Sequence, residues 1–203
     1  MKLTDNIYYG KSSEFESGLP EGSIFINTDT GEINVIGSDG KKLENEAIEK
    51  TTGWSAYVDT QYTEGSTFSI VSDTKVTLPN NASSKIESQM PSDFDKMYDE
   101  STLSIIGKNG DGLNITCEFF VIPDVGATTL ETSIDIGGAV GEIFPRLFTF
   151  PKGSGVTRPI SFSISVYTLD TWQANGGQIK IISNGNCEIF GIRYVLTRTH
   201  KAH

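Results

Sequence analysis

The feature that most constrains this chain is a series of short segments with alternating apolar residues, separated by glycine-rich turns. The clearest is 161–168, where Phe162, Ile164 and Val166 alternate with serines. A strict period of two gives a strand one apolar and one polar face, which is typical of a half-buried antiparallel strand. Turn chemistry recurs between such segments, at 109–112, 137–138, 153–155, 175–177 and 184–186.

Further strand-like segments cover most of the chain beyond residue 53. They lie at 55–62, 67–78 (one strand or two), 101–106, 113–122, 132–136, 143–150, 178–182 and 188–197. Gly, Ser, Thr, Ile and Phe dominate the composition, whereas the helix formers Ala and Leu are sparse. The pattern predicts an all-β fold, a jelly-roll-like antiparallel β-sandwich over residues 54–203.

Residues 1–40 are predicted to form a unit of their own. Two strand-prone runs, 23–27 and 32–36, flank the turn-forming residues 28–31, and 38–40 supply another turn. This order predicts a small β-hairpin. An isolated hairpin is marginally stable in water, so we expect it to dock on a partner surface.

The one convincing helical stretch is 41–50, where Leu43, Ala47 and Lys50 share a face. It is too short to be stable alone. It is interpreted as a surface linker helix within a neck at 41–53, or as a short bundle around a threefold axis.

Charge excludes some partners. The chain carries a formal net charge of −10, and its Lys and Arg residues are not clustered, so nucleic-acid binding is not expected. The N-terminal residues lack an apolar signal-peptide region, and no stretch reaches the length of a membrane span. We therefore expect synthesis in a cytoplasm without membrane insertion.

Catalytic groups are scarce in this sequence. The only histidines, His200 and His203, lie at the C-terminus, where a preorganised catalytic triad is not expected. Paired carboxylates can hydrolyse glycosides, but charged groups on solvent-exposed faces are the simpler interpretation. The carboxylates considered are Asp93, Asp95, Asp99, Glu100, Asp135 and Glu142. The chain is predicted to be no enzyme and to need no cofactor.

A metal site is not predicted either. Cys117 and Cys187 lie seventy positions apart without a Cys-x-x-Cys neighbour, and both are expected to be buried free thiols. The Gly-rich residues 107–112 are interpreted as a hairpin turn. Their Asn and Asp oxygens suit calcium, although the EF-hand pattern is absent.

Trp172 is the aromatic residue considered for ligand binding. It stands in a predicted loop with Asp170, Gln173 and Asn175, whose polar groups are suitable partners for sugar hydroxyls. Large aromatics in a β-sandwich more often fill the core or a subunit interface. Both interpretations remain open for Trp172.

Two parts of the chain resemble structural proteins of tailed bacteriophages. Residues 22–37, GSIFINTDTGEINVIG, followed by Ser-Asp-Gly, resemble a hairpin that recurs near the N-termini of phage fibre and virion-attachment proteins. The C-terminal part is similar in its short strands, glycine-rich turns and length to the jelly-roll heads of trimeric phage fibres, head fibres and capsid-decoration proteins. The second similarity is one of fold, which alone does not fix function.

The resemblance implies a division of labour within a virion protein. Residues 1–40 would attach to other capsid or tail proteins, 41–53 would form a neck, and 54–203 would form the head of a homotrimer. The attachment contacts would come from the apolar residues of the hairpin, Ile24, Phe25, Ile26, Ile33, Val35 and Ile36. Adhesion to a host surface or glycan is the expected role. Two alternatives are a cellular carbohydrate-binding module or adhesin domain, and a glycan-degrading or esterase domain.

Overall fold

The computed structural model describes residues 7–10, 19–29, 33–36, 50–151 and 154–202. The chain divides into two compact units, Met1–Glu49 and Lys50–His203. Among the described residues, strands account for almost all regular structure, and a single short helix is present.

The first unit contains a small sheet of three strands: β1 (Ile7–Gly10), β2 (Ile24–Asn27) and β3 (Ile33–Val35). Strands β2 and β3 pair antiparallel, as the sequence predicted, whereas β1, which was not predicted, pairs parallel to β2. Phe25 and Ile36 are buried in this unit. The predicted helix at 41–50 lies outside the described residues, apart from Lys50.

The second unit is a sandwich of two main antiparallel sheets. Sheet I follows the order β13-β10-β15-β4-β7, with β5 pairing β15 beside β4, and sheet II follows the order β12-β11-β14-β6. The strands of sheet I are β4 (Gly53–Val58), β5 (Phe68–Ile70), β7 (Ser84–Ile86), β10 (Gly112–Pro123), β13 (Arg158–Tyr167) and β15 (Cys187–His200). The strands of sheet II are β6 (Val76–Thr77), β11 (Thr128–Asp135), β12 (Glu142–Phe150) and β14 (Gln178–Ser183). A separate short pair consists of β8 (Tyr98–Asp99) and β9 (Ser104–Ile105).

The core lies between the inward faces of the two sheets. Phe162, Ile164 and Val166 of β13 are buried, and the serines between them are exposed, as the period of two predicted. They pack in one cluster with residues of sheet II such as Leu130 and Ile181. The predicted all-β, jelly-roll-like antiparallel sandwich is therefore confirmed.

Several boundaries and connections differ from the sequence-based expectation. Strand β11 begins at Thr128 rather than at residue 132, and β7 and β8 were not predicted. Residues 107–112 do not form a hairpin turn, because β9 and β10 do not pair with each other. The predicted loop around Trp172 is a short helix, α1 (Asp170–Asn175).

Strands β12 and β13 form the edges of sheets II and I, and Arg146 connects them. Its Nη2 donates a hydrogen bond of 2.9 Å to the backbone carbonyl oxygen of Ser163 on β13. Phe148 and Phe162 face each other across the same side, with ring centroids 6.0 Å apart. These contacts close one side of the sandwich.

Candidate assembly surface

The outer face of sheet I carries short polar side chains, most of them on β13 and β10, and apolar side chains, most of them on β15, β4 and β7. Residues directly opposite each other on paired strands share a face, so the strand registers define its rows. The rows are Ser165–Asn114–Thr197–Trp54, Ser163–Thr116–Val195–Ala56–Ile86 and Ser161–Glu118–Arg193–Val58–Ser84. We call these three rows, with Phe120 at their end, the Ser/Thr face.

Charge is nearly absent from the Ser/Thr face. Glu118 and Arg193 are its only charged residues, and Arg193 Nη1 lies 3.8 Å from Glu118 Oε2. The hydroxyl groups of Thr116 and Ser163 hydrogen-bond to each other at 2.7 Å. Polar groups that already have partners cost less to bury. The face is thus polar in composition yet suited to close contact with another surface.

The outer face of sheet II is different, because ion pairs cross it. Lys75 Nζ lies 2.7 Å from Glu142 Oε1, and Lys180 Nζ lies 3.8 Å from Asp135 Oδ2. The hydrogen bond from Lys75 lowers the pKa of the Glu142 carboxyl. Glu131 points to the same side. Charged, partly exposed side chains of both signs are typical of a surface that faces water.

An apolar notch of about 360 Å³ lies at one end of the Ser/Thr face, lined in part by Val58, Phe120 and Pro159. Phe120 stacks on Phe190, with ring centroids 5.1 Å apart. Gly191 takes a φ of 64°, and a Cβ there would approach Phe120 Cδ2 to 3.0 Å. The β10–β15 ladder has an irregularity between Glu118 and Phe120, opposite Gly191. The glycine leaves room there for the Phe120 ring, which is 40% exposed.

Trp172 is buried in the structure. Its side chain is 1% exposed, and its Nε1 donates a hydrogen bond of 3.0 Å to the Ile105 carbonyl oxygen. Gly177 packs flat against the ring, since a Cβ at that position would lie 2.4 Å from Trp172 Cζ2. An indole enclosed in this way offers no ring face to a sugar, and it has the core role that the sequence left open.

The polar residues predicted beside Trp172 hold neighbouring segments together. Asn109 donates from Nδ2 to Asp170 Oδ1 at 2.6 Å and from its backbone N–H to Gln173 Oε1 at 2.7 Å. Asn175 Nδ2 donates to the Ile136 and Thr171 carbonyl oxygens. The structure thus brings all four predicted residues into one region, where these contacts connect α1 to adjacent loops.

The carboxylates considered for catalysis include two that lie opposite each other on paired strands, Asp135 on β11 and Glu142 on β12. Each of these two has a lysine beside it. Asp93 contacts Lys108 and Arg198, and Asp99 contacts Lys96. Burial alone would raise the pKa of the Asp93 carboxyl, but hydrogen bonds from Lys108 and Arg198 hold it at about 2. A carboxylate with this pKa stays ionised at neutral pH and is poorly matched to proton transfer.

Both thiols are buried and free, which agrees with the sequence-based expectation. Burial raises the pKa of the Cys187 thiol to about 11 and raises that of Cys117 as well. Because the thiolate is the reactive form, we expect neither cysteine to react with a thiol-specific disulfide reagent in the native protein at neutral pH. Both should react after denaturation, and a rapid native reaction at either position would contradict this.

The described part of the chain contains no cluster of three or more His, Cys, Asp or Glu side chains suited to a metal ion. In the loop considered for calcium, Asp111 is buried beside Arg198, and its Oδ1 accepts a hydrogen bond from the backbone N–H of Ala202. No helix among the described residues is long and apolar enough to cross a membrane.

Within the first unit, the six predicted attachment residues belong to or adjoin the β2–β3 hairpin. Phe25 and Ile36 are buried there, Ile24 and Ile26 are half-buried, and Val35 is exposed. The role of these residues in attachment stays a prediction.

Comparisons with known proteins assign no family to the chain. No family model matches it, and no curated protein matches it. Similar solved structures include the PRD1 vertex protein P5, with a TM-score of 0.42 and 13% identity over 91% of this chain and 85% of that chain. Another is Eiger TNF from S. frugiperda, with a TM-score of 0.46 and 8% identity over 74% of this chain and 95% of that chain.

A third similar structure is the VP2 subviral particle of infectious bursal disease virus, with a TM-score of 0.41 and 13% identity. The match covers 87% of this chain but only 38% of the viral chain. At identities of 13% or less, these similarities establish neither family nor function.

Proposed function

We propose that this chain is a non-enzymatic structural protein of a bacteriophage virion, a short homotrimeric fibre, head fibre or decoration protein on the particle surface. The observation that carries the proposal is the antiparallel pairing of β2 and β3, since the resemblance to phage attachment hairpins implies two paired strands at these positions. It belongs to a compact unit distinct from the sandwich. In this proposal the first unit binds other capsid or tail proteins.

The size and exposure of the first unit support an attachment role. Its three short strands offer little apolar area to bury, and Ile7 and Val35 remain exposed. Small sheets of this kind gain stability when they pack on another surface. Contacts with neighbouring copies and with a virion protein would both supply such a surface.

The chemistry of the sandwich supports a role without catalysis. Its two thiols have raised pKa values, and the Asp93 carboxylate is held ionised by Lys108 and Arg198. His200 lies at the end of β15, close to the C-terminus. Function would then depend on assembly and surface contact.

Adhesion to a host surface would arise from several weak contacts acting together, because linked copies raise the effective concentration. Trp172 is buried, so a glycan at this end of the sandwich would not stack on its ring as the protein is folded here. Tyr167, at 84% exposure, is the most exposed of the large apolar side chains described. A cellular carbohydrate-binding module or adhesin would leave the N-terminal hairpin unexplained.

Deletion of residues 1–40 tests the attachment role. We expect purified particles to lose the protein, while the truncated chain keeps the β-rich circular dichroism spectrum of the sandwich. Immunoblotting of purified particles measures incorporation. Retention of the truncated chain on particles would contradict the attachment role.

A pair of point variants makes the same test without truncation. Val35→Asp places a charge on the exposed side of β3, and Val71→Asp places one on an exposed position of the sandwich. We expect Val35→Asp to lower incorporation and Val71→Asp to leave it unchanged. Equal incorporation of the two variants would argue against attachment through the hairpin.

A further inference from the structure

We infer that the copies of this chain pack against one another through the Ser/Thr face, so that the surface partner of each sandwich is a second copy of the same chain. The inference rests on the homotrimer of the proposed function and specifies the surface that forms it. The ion-paired outer face of sheet II then faces the solvent.

The first argument is charge. Copies of a protein with a formal net charge of −10 repel one another wherever acidic surfaces meet. The Ser/Thr face carries one acidic and one basic residue, Glu118 and Arg193, in contact with each other. Its net charge is therefore zero, and copies can approach through this face without the repulsion that the rest of the surface imposes.

The second argument is shape. Ser161, Ser163 and Ser165 on β13 are exposed and have short side chains, so this part of the sheet surface permits close approach of another backbone. The Thr116–Ser163 hydrogen bond satisfies two hydroxyl groups within the face. Burial of these two hydroxyl groups against another copy therefore costs less desolvation free energy than burial of hydroxyl groups without a partner.

The third argument is area. With strands about 4.8 Å apart and a rise of about 3.3 Å per residue, each outward-facing residue covers about 32 Å², so the Ser/Thr face presents roughly 480 Å² of sheet. A stable protein interface buries about 800 Å² on each partner. The Ser/Thr face therefore supplies more than half of the area that a specific interface of standard size requires.

Apolar anchors lie at the margins of the face. Trp54 and Phe120 are 38% and 40% exposed, and Ile86 on β7 is 49% exposed. Large apolar side chains contribute binding free energy when a partner covers them, because their apolar surface is removed from water. The Ser/Thr face therefore has large apolar side chains near its margins, and the serine and threonine side chains between them carry no charge.

The test compares two matched threonines. Thr116 lies at the centre of the Ser/Thr face on β10, and Thr129 lies on the outer side of sheet II on β11; each strand is flanked by two others. We expect Thr116→Lys to convert the full-length trimer into a monomer in analytical ultracentrifugation, because a lysine there would be buried without a partner. Thr129→Lys should remain trimeric.

The outcomes separate this inference from the proposed function. A folded Thr116→Lys variant that stays trimeric would overturn the Ser/Thr face as the contact surface and leave the homotrimer intact. A wild-type chain that is monomeric at micromolar concentration would overturn the homotrimer and this inference together. Circular dichroism and a melting curve establish that each variant is folded.

Cysteine labelling keeps the test decisive if Thr116→Lys does not fold. Ser163→Cys and Thr149→Cys place thiols at exposed positions of the edge strands β13 and β12, one on each sheet, and both native cysteines are buried. We expect a maleimide to label Ser163→Cys much more slowly than Thr149→Cys in the native assembly. Equal labelling rates would overturn the inference.

Discussion

Replacing Asp93 by asparagine should lower the free energy of unfolding by about 3–5 kcal/mol, because it leaves a buried arginine without its hydrogen-bonded counter-ion. Arg198 is 0% exposed, and its Nη1 donates to Asp93 Oδ1 at 2.7 Å. Lys108 donates to the other carboxylate oxygen at 2.9 Å. Both cations also lie over the ring of Phe94.

The second acid near Arg198 cannot replace Asp93. Asp111 Oδ2 lies 3.5 Å from Arg198 Nε, and neither atom has a hydrogen-bond partner. Asp111 still attracts the guanidinium in the variant. It forms no hydrogen bond with the guanidinium, however, so it does not replace the contact that Asp93 makes. Without Asp93, the free energy needed to bury the charged arginine is no longer offset by a hydrogen-bonded counter-ion.

The pH dependence of this effect has a defined sign. The pKa of Asp93 in the folded protein is about 2, below its ordinary value of 3.8, so the ionised carboxylate stabilises the fold. That stabilisation is fully present above the ordinary value and is lost as the pH falls through the folded-state value. The stability difference between wild type and Asp93→Asn should therefore narrow between pH 3.8 and about 2.

Urea denaturation at a fixed protein concentration measures the difference. Asp95→Asn is the matched control, because Asp95 lies in the same segment and is exposed. Its effect should stay within about 0.5 kcal/mol. If the Asp93 and Asp95 variants were equally stable, the Asp93–Arg198 contact would not stabilise the fold.

Replacing Trp172 by alanine should lower the free energy of unfolding by about 3–5 kcal/mol, the usual cost of removing a large buried aromatic. The substitution leaves a cavity against Gly177 and removes the hydrogen bond to the Ile105 carbonyl oxygen. Thermal or urea unfolding measures this loss at a fixed protein concentration.

Trp172→Phe is the informative control for the alanine variant. It keeps a ring in the core and removes the N–H donor. The Ile105 carbonyl oxygen still accepts a hydrogen bond from the backbone N–H of Gly177, so the cost should be that of one lost hydrogen bond, about 0.5–1.5 kcal/mol. A Trp172→Ala variant with unchanged stability that had lost binding on a glycan array would instead support the ligand role first considered from the sequence.

The sandwich was predictable because its long strands carry a local signal. In β13, alternation of Phe162, Ile164 and Val166 with serines fixes both the element and its buried face. Short strands such as β7 and β8 carry no such signal. Their existence depends on pairing with β4 and β9, which local sequence does not encode.

The site was harder to predict than the fold, because a residue's environment depends on distant partners. Trp172 stands among polar residues in the sequence. Its burial depends on contacts with Ile105, which accepts its hydrogen bond, and with Gly177, which packs against its ring. The pair Gly176-Gly177 was a visible signal, but it was interpreted as a turn. Besides allowing a turn, a glycine also allows another group, such as an aromatic ring, to pack closely against the backbone.

Only one part of the Ser/Thr face could be predicted from the sequence. The serines of β13 were predicted to lie opposite the core, which is correct. Their alignment with Thr116, Val195 and Ala56 requires the registers of four strands, which a single sequence does not contain. The near absence of charge on the face therefore appears only after the strands are placed side by side.

Arg146 has a consequence for the edge of sheet I at β13. The free border of a β-sheet can template further β-strands and so start open-ended polymerisation. Arg146 occupies the Ser163 carbonyl oxygen and places a guanidinium where an incoming backbone would have to lie. The β13 edge is thereby less accessible to an incoming strand at Ser163.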